Sequence, residues 1–279
     1  MAKIPTSAKL GKDDLDRFYT KPSVVDKLLQ HIDVKDYDVV VEPSAGSGSW
    51  SSKIEDCLAI DISPANEDII QGDFLSDDFL FDDIKKDNKI LVIGNPPFGR
   101  QSKLAMKFIN KSAEFADTIA FILPRSFRKE SVQRRIHKNF WLTKDIDLFE
   151  DSAFIFEGKD YFAPCVFQVW ERREEERSTK VEKIDPVGWD YTKREYCNIV
   201  IRRVGGAAGT SYLDNLKEKS IQPNYFLSVP NPTKLADEIN KHSFDIYDTV
   251  GPQSLTKKEL TSFINSFINN HLQKNKKSL

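Results

Sequence analysis

Apolar residues in the first 175 positions come in short continuous runs, each closed by charge or by glycine and proline. Val39-Val40-Val41, Leu58-Ala59-Ile60, Ile90-Leu91-Val92-Ile93 and Ala120-Phe121-Ile122-Leu123 are such runs. Brief, uniformly apolar runs rich in β-branched residues predict strands buried on both faces. Strands are expected at 38–42, 57–61, 89–94, 118–123, 144–149 and 164–170, with helical segments between them, notably 102–115 and 128–138. A further helix is expected to open around Phe18-Tyr19-Thr20-Lys21-Pro22 and run through Leu28, since proline suits a first helical turn. Strands alternating with helices imply an α/β domain, a doubly wound and mostly parallel sheet with helices on both faces.

Residues 1–16 read as a polar arm, and the charged run Glu171-Arg172-Arg173-Glu174-Glu175-Glu176-Arg177 marks the end of the main domain. The expected organisation is an arm at 1–16, a domain at 17–175 and a small α+β region at 176–279 that recognises substrate or supports the domain. In that last region Ile199–Val204 reads as a strand entering a Gly205-Gly206 turn, and Tyr225–Val229 as another. Thr256 with Glu259 three residues on is a capping-box signature. Leu260, Phe263, Ile264, Phe267 and Ile268 follow as a helical stripe that docks on a core.

With 279 residues, 39% hydrophobic and 30% charged, the chain can hold a large domain and a small one. It has no run near the roughly 20 apolar residues that cross a bilayer, and its first residues lack a signal-peptide core. Cys57, Cys165 and Cys197 are scattered and offer neither a disulfide framework nor metal-ligand spacing. An intracellular protein without metal or membrane partner is expected. The net charge of −2 conceals an asymmetry. Residues 1–99 hold 11 Lys/Arg against 19 Asp/Glu, a net of −8, and residues 100–138 hold 10 against 3, a net of +7. The basic block reads either as a polyanion contact or as a solvated helix face.

Candidate chemistry centres on Gly94-Asn95-Pro96-Pro97-Phe98, at the end of the predicted strand 89–94. Two prolines fix φ and remove two N–H donors, leaving an amide side chain and backbone carbonyls beside an aromatic face. Such a turn suits a planar group bearing an NH2. Upstream, Val39-Val40-Val41 meets Glu42 and the small-residue loop Pro43-Ser44-Ala45-Gly46-Ser47-Gly48-Ser49, expected to lead into a helix. Leu58–Ile62 and Gln71-Gly72-Asp73-Phe74 each close on a carboxylate, at the spacing of successive strands in a doubly wound sheet.

This ordered series, over roughly residues 17–175, resembles the S-adenosylmethionine-dependent methyltransferases that modify adenine N6, with a motif order similar to their gamma arrangement. The resemblance implies a Rossmann-like methyltransferase fold with a seven-stranded sheet and an antiparallel edge strand supplied by Cys165–Trp170. It implies S-adenosylmethionine as cofactor, with Glu42 facing the methionine amine and Ser44, Ala45, Gly46 and Gly48 lining the chain. Asp61, with Ile62 beside it, would bond the ribose, and Asp73 the adenine amine, with Phe74 nearby. Phe18-Tyr19-Thr20 is similar to a cofactor-contacting aromatic-x-Thr-Pro, which implies contacts from Tyr19 and Thr20, although Lys21 here intervenes before Pro22. Asn95 and the Pro96 carbonyl would accept from the target amine, with Pro97 shaping the turn and Phe98 stacking on the base.

A base in a duplex must be flipped out to reach such a turn, which needs phosphate contacts. Arg100, Arg125, Arg128, Lys129, Arg134 and Arg135 are the candidates for them. DNA is the expected substrate and RNA the alternative. Carbon-5 cytosine chemistry would need a thiolate in a Pro-Cys turn, but Pro164-Cys165 lies in an apolar run and reads as core. Cytosine-N4 enzymes usually carry Ser at the position of Asn95. Protein-glutamine methyltransferases share the turn but carry a helical N-terminal domain, for which residues 1–37 leave no space.

Overall fold

The computed structural model describes residues 18–76, 84, 87–148, 152–156, 158–180, 183–244, 246 and 253–276. The expected polar arm at 1–16 lies outside them. They form two compact units that part between Thr179 and Lys180. The charged run 171–177 belongs to the first unit, because Arg177 is docked there. Its guanidinium donates to the carbonyls of Phe140, Gln133 and Ile136, and lies over the Trp170 ring.

In the first unit β1 (Tyr19–Thr20) precedes α1 (Pro22–Leu29), so the aromatic-Thr pair forms a strand and not the expected helix opening. Strands β2 (Val39–Pro43), β3 (Leu58–Asp61), β4 (Ile70–Gln71) and β5 (Ile90–Gly94) follow. Then come α2 (Lys103–Ser112), β6 (Thr118–Pro124), α3 (Glu130–Gln133) and β7 (Phe140–Asp147). The hairpin β8 (Phe154–Phe156) and β9 (Lys159–Tyr161) precedes β10 (Cys165–Arg172). The large sheet has seven strands in the order β4-β3-β2-β5-β6-β10-β7. Pairings from β4 through β6 are parallel, whereas β10 runs antiparallel to both β6 and β7. The antiparallel strand thus sits one place in from the edge, and β7 closes the sheet.

The uniformly apolar runs are the central strands, with every residue of β5 and β6 buried. On one face α2 packs Ala105, Met106, Phe108 and Ile109 against Val92, Ile119 and Phe121. On the other, α1 packs Val24, Val25 and Leu28 with Trp50, Leu91, Ile122 and Phe167. The helix expected at 128–138 is a 3-10 turn (Arg125–Arg128) and the four-residue α3, because Lys129 is extended at φ −70°, ψ 130° and breaks the coil. β7 starts at Phe140, ahead of the expected 144, because Phe140 and Trp141 find partners in Arg172 and Glu171 of β10.

The second unit is a four-stranded antiparallel sheet, order β11-β14-β12-β13, from β11 (Asp190–Tyr191), β12 (Ile199–Arg202), β13 (Ser211–Tyr212) and β14 (Asn224–Ser228). Its core joins Trp189, Ile199, Ile201 and Leu227 to Leu235 and Ile239 of α4 (Pro232–Lys241) and to Leu260 and Ile264 of α5 (Lys257–Lys276). The capping box is formed: the Glu259 N–H donates to Thr256 Oγ1 at 3.2 Å and the Thr256 N–H to Glu259 Oε2 at 2.7 Å. Thr256→Ala should therefore lower the stability of this unit by about 1 kcal/mol in urea unfolding. An unchanged midpoint would show that α5 is held by its apolar stripe alone.

Candidate active site

Sheet order reverses between β2 and β5, since β2 leads on to β3 and β5 to β6 on the other side. Loops leaving the carboxyl ends of those two strands diverge and leave a crevice. A cavity of about 260 Å³ occupies it. Tyr19, Thr20, Glu42, Ser44, Ala45, Gly46, Asp61, Ile62, Asp73, Phe74 and Asn95 through Phe98 all line this cavity, so the fold gathers them from across the first hundred residues. Gly48 and the candidate phosphate ligands Arg100, Arg125, Arg128, Lys129, Arg134 and Arg135 do not line it.

The loop after β2 is bound by its own backbone. The amides of Ser44 and Ala45 both donate to the Ile60 carbonyl, at 2.7 and 2.9 Å. The Gly48 amide donates to Ala45 and the Ser52 amide to Gly48. The Gly46 amide donates to Asp61 Oδ2 at 2.7 Å, and Asp61 Oδ1 accepts from the Ser63 amide at 2.7 Å. Asp61 thus braces the loop, and the second lone pair of each oxygen is what it can offer a ligand. Gly46 has φ +56° with the Tyr19 ring against it, where an added Cβ would stand 3.0 Å from Tyr19 Cε1. Only glycine fits both conditions. The loop does not lead into the expected α-helix. It enters one 3-10 turn, Ser51–Lys53, so no helix N-terminus faces the cavity from here.

Asn95 is oriented from the start of the chain. Its Nδ2 donates to the Phe18 carbonyl at 3.0 Å, which forces Oδ1 to the other side. Oδ1 is buried with no partner among the described residues. Phe18 is itself held by rings at 4.9 Å (Phe156) and 4.7 Å (Tyr161), and by the pairing of β1 with β8. The Asn95 carbonyl accepts from Ser44 Oγ at 3.4 Å, joining the two loops. Ser44 stands at φ +79°, a left-handed conformation uncommon for serine and typical of constrained functional loops. Phe74 has its ring stacked on Phe108 (5.5 Å) with an edge to Phe115, so it is core as well as cavity wall.

The cavity is acidic. Glu42, Asp61 and Asp73 line it, and no Lys, Arg or His does so among the described residues. Glu42 is 2% exposed, and burial pushes its carboxyl up to about 7 against the opposing hydrogen bonds from Ser51 and Trp50. The Ser51 amide donates to its Oε2 at 2.8 Å. A cation in the cavity would restore the ionised form.

No family model matches the chain, and no curated protein matches it. Among solved structures, similar chains include a Pyrococcus horikoshii protein provisionally named an RNA methyltransferase, at TM-score 0.43 and 16% identity over 59% of this chain and 90% of that one. The 23S rRNA methyltransferase ErmE is similar at TM-score 0.40 and 11% identity, over 57% and 71% of the two chains. A Thermoplasma acidophilum protein follows at 0.35 and 16%, over 55% and 98%. Strand order and crevice speak for themselves. The first unit has a doubly wound, Rossmann-like α/β fold with a mostly parallel seven-stranded sheet.

Within this fold the basic block is partly engaged. Arg125 pairs with Asp147 at 2.7 Å, and Arg128 with Asp145 at 2.6 Å and Asp147 at 2.8 Å, across to β7. Arg100, Arg134 and Arg135 are exposed. The Cys165 thiol is fully buried and pushed up by that burial, which removes it as a nucleophile. Two roles escaped the sequence reading. Phe18 acts through its carbonyl, which no residue type reveals. Trp50 lines the cavity 1% exposed, with its Nε1 buried and unpartnered. Its place just after the glycine loop was the available signal.

Because Glu42 must lose its proton to hold a cation, a ligand bearing an ammonium group should bind about tenfold more weakly at pH 6 than at pH 8. Calorimetric titrations with S-adenosylhomocysteine at both pH values check this, and Glu42→Gln should flatten the dependence. A flat profile in the unaltered protein would mean that Glu42 does not meet the cation.

Proposed function

We propose that the protein transfers a methyl group from S-adenosylmethionine to the N6 amino group of adenine in nucleic acid. The observation that carries this is the buried, unpartnered Asn95 Oδ1, turned away from the Phe18 carbonyl at a turn whose next two residues have no N–H. An unpaired buried acceptor costs about 1–3 kcal/mol, which a substrate N–H would recover.

The cavity fits the methyl donor. Three carboxylates and, among the described residues, no cation suit a ligand carrying sulfonium and ammonium charges, and they oppose a phosphate-bearing cofactor. Glu42 would hold the ammonium, Asp61 the ribose hydroxyls through its remaining lone pairs, and Asp73 the adenine amine. The donor supplies an electrophilic methyl on a sulfonium sulfur. All else falls to the chain. Adenine N6 is a poor nucleophile because its lone pair is delocalised into the ring. Asn95 Oδ1 and the Pro96 carbonyl, each accepting one N–H, favour a pyramidal nitrogen and stabilise the positive charge that develops on it. Pro96 and Pro97 bring no donor that would compete for that lone pair. Phe98 offers its ring to the base, and the product amine can give its proton to water. Holding the amine in place is itself worth as much as about 7–11 kcal/mol in favourable cases.

The polar atoms of the turn address the amino group and not the sugar, so adenine in DNA, suggested by the motif order, and adenine in RNA are both supported and the assay must carry both. The exposed Arg100, Arg134 and Arg135 are the better placed cations for phosphate, since Arg125 and Arg128 already face carboxylates. The second unit is assigned to substrate recognition or support.

Asn95→Ala should reduce transfer on the order of 10²–10³-fold, the loss typical of one preorganised electrostatic contact. S-adenosylhomocysteine affinity should stay within a few-fold. The measurement is tritiated methyl incorporation into duplex DNA, single-stranded DNA and RNA, followed by digestion to N6-methyladenosine or its deoxy form. Full activity in the variant, or label in any position other than adenine N6, would overturn the proposal.

A further inference from the structure

Trp50, another residue of the cavity lining, carries an unsatisfied group of opposite sense to Asn95 Oδ1. Among the described residues three buried side-chain polar atoms lack a partner, and two of them, Asn95 Oδ1 and Trp50 Nε1, belong to residues lining this one cavity. The Trp50 ring is fixed, stacked on Phe167 at 5.8 Å and 17°. A buried indole N–H ordinarily finds an acceptor, and leaving it unpaired costs as much as any buried amide. A ligand acceptor that reached this N–H would recover that cost.

The chemistry of that acceptor follows from what else surrounds it. A zwitterionic amino-acid group has a carboxylate for which this cavity supplies no Lys, Arg or His among the described residues. A helix N-terminus is the usual neutral substitute. Here the loop ends in a single 3-10 turn, and the Ser51 amide that would open it already donates to Glu42. Trp50 stands next to Ser51, on the same stretch of chain whose amides hold the Glu42 carboxylate. A ligand ammonium at Glu42 brings its own carboxylate within a few bonds of that place.

We propose that the Trp50 indole N–H is the hydrogen-bond donor that recognises the carboxylate of the methyl donor, making Trp50 the residue that selects ligands carrying a complete amino-acid end. This inference rests on the proposed use of S-adenosylmethionine, and its test separates the two. Trp50→Phe keeps an aromatic ring against Phe167 and removes the N–H. Calorimetry on the unaltered protein and the variant would use two probes: S-adenosylhomocysteine and its decarboxylated analogue, 5′-S-(3-aminopropyl)-5′-thioadenosine.

The expected result is that Trp50→Phe weakens S-adenosylhomocysteine by about 10- to 100-fold, the range for a hydrogen bond to a charged group. It should leave the decarboxylated analogue within about twofold. Equal losses for both probes would assign Trp50 a packing role only, and no loss for either would leave its N–H to water. Either result overturns the inference while the donor assignment stands. Failure of the unaltered protein to bind either probe overturns both. Should Trp50→Phe not fold, 3-benzothienylalanine at position 50 keeps the bicyclic ring without the N–H, and the same comparison decides.

Discussion

A single hydrogen bond gives the site its polarity. A carboxamide has two ends of nearly equal size and opposite sense, and only a partner distinguishes them. The Phe18 carbonyl can only accept, so it takes Nδ2 of Asn95 and leaves Oδ1 as the acceptor. That carbonyl stays in place because β1 is stitched to β8 and the Phe18 ring lies among Phe154, Phe156 and Tyr161. Residues from the start of the domain and from its last hairpin therefore fix an amide that the central strand β5 presents. Ser44 adds the third tie, reaching the Asn95 carbonyl from the loop after β2.

The second constraint is electrostatic. Phosphate-binding loops turn their amides toward the ligand, whereas this loop turns them inward, to the Ile60 carbonyl, to Asp61 and to Glu42. The amides steady two carboxylates, and the cavity keeps its negative sign. Burial raises the Glu42 carboxyl to about 7, and its uncharged form avoids part of the penalty of an isolated buried charge. Asp61 has a structural duty and a candidate binding duty at once, and the two cannot be separated by deleting it.

Outside the cavity the basic block is divided by its context. Arg125 and Arg128 are tied to Asp145 and Asp147 on β7, and Asp145 also accepts from Gln168, which accepts in turn from the Trp170 indole. A single exposed ion pair contributes little, but a shared set of this kind fixes the rim between β6 and β7. Its effect is to draw two guanidinium groups back onto the sheet and leave Arg134 and Arg135 exposed.

Much of this was legible in the chain itself. Continuous apolar runs such as Ile90–Ile93 betray parallel strands covered on both faces, because burial on two sides removes the alternation that one solvated face imposes. Gly46, Asp61 and Asn95-Pro96-Pro97-Phe98 announced their places because their chemistry is local: a glycine at positive φ, a carboxylate closing a strand, a turn without donors. Termini of elements were less legible. β7 begins where β10 offers partners, and the 128–138 segment breaks at Lys129, both consequences of pairing that no local window contains. The Phe18 carbonyl, the inward amides and the bare Trp50 N–H were decided by tertiary structure alone. Every residue carries a carbonyl and nearly every one an amide, so which of them is left without a partner depends on neighbours dozens of positions away in the chain.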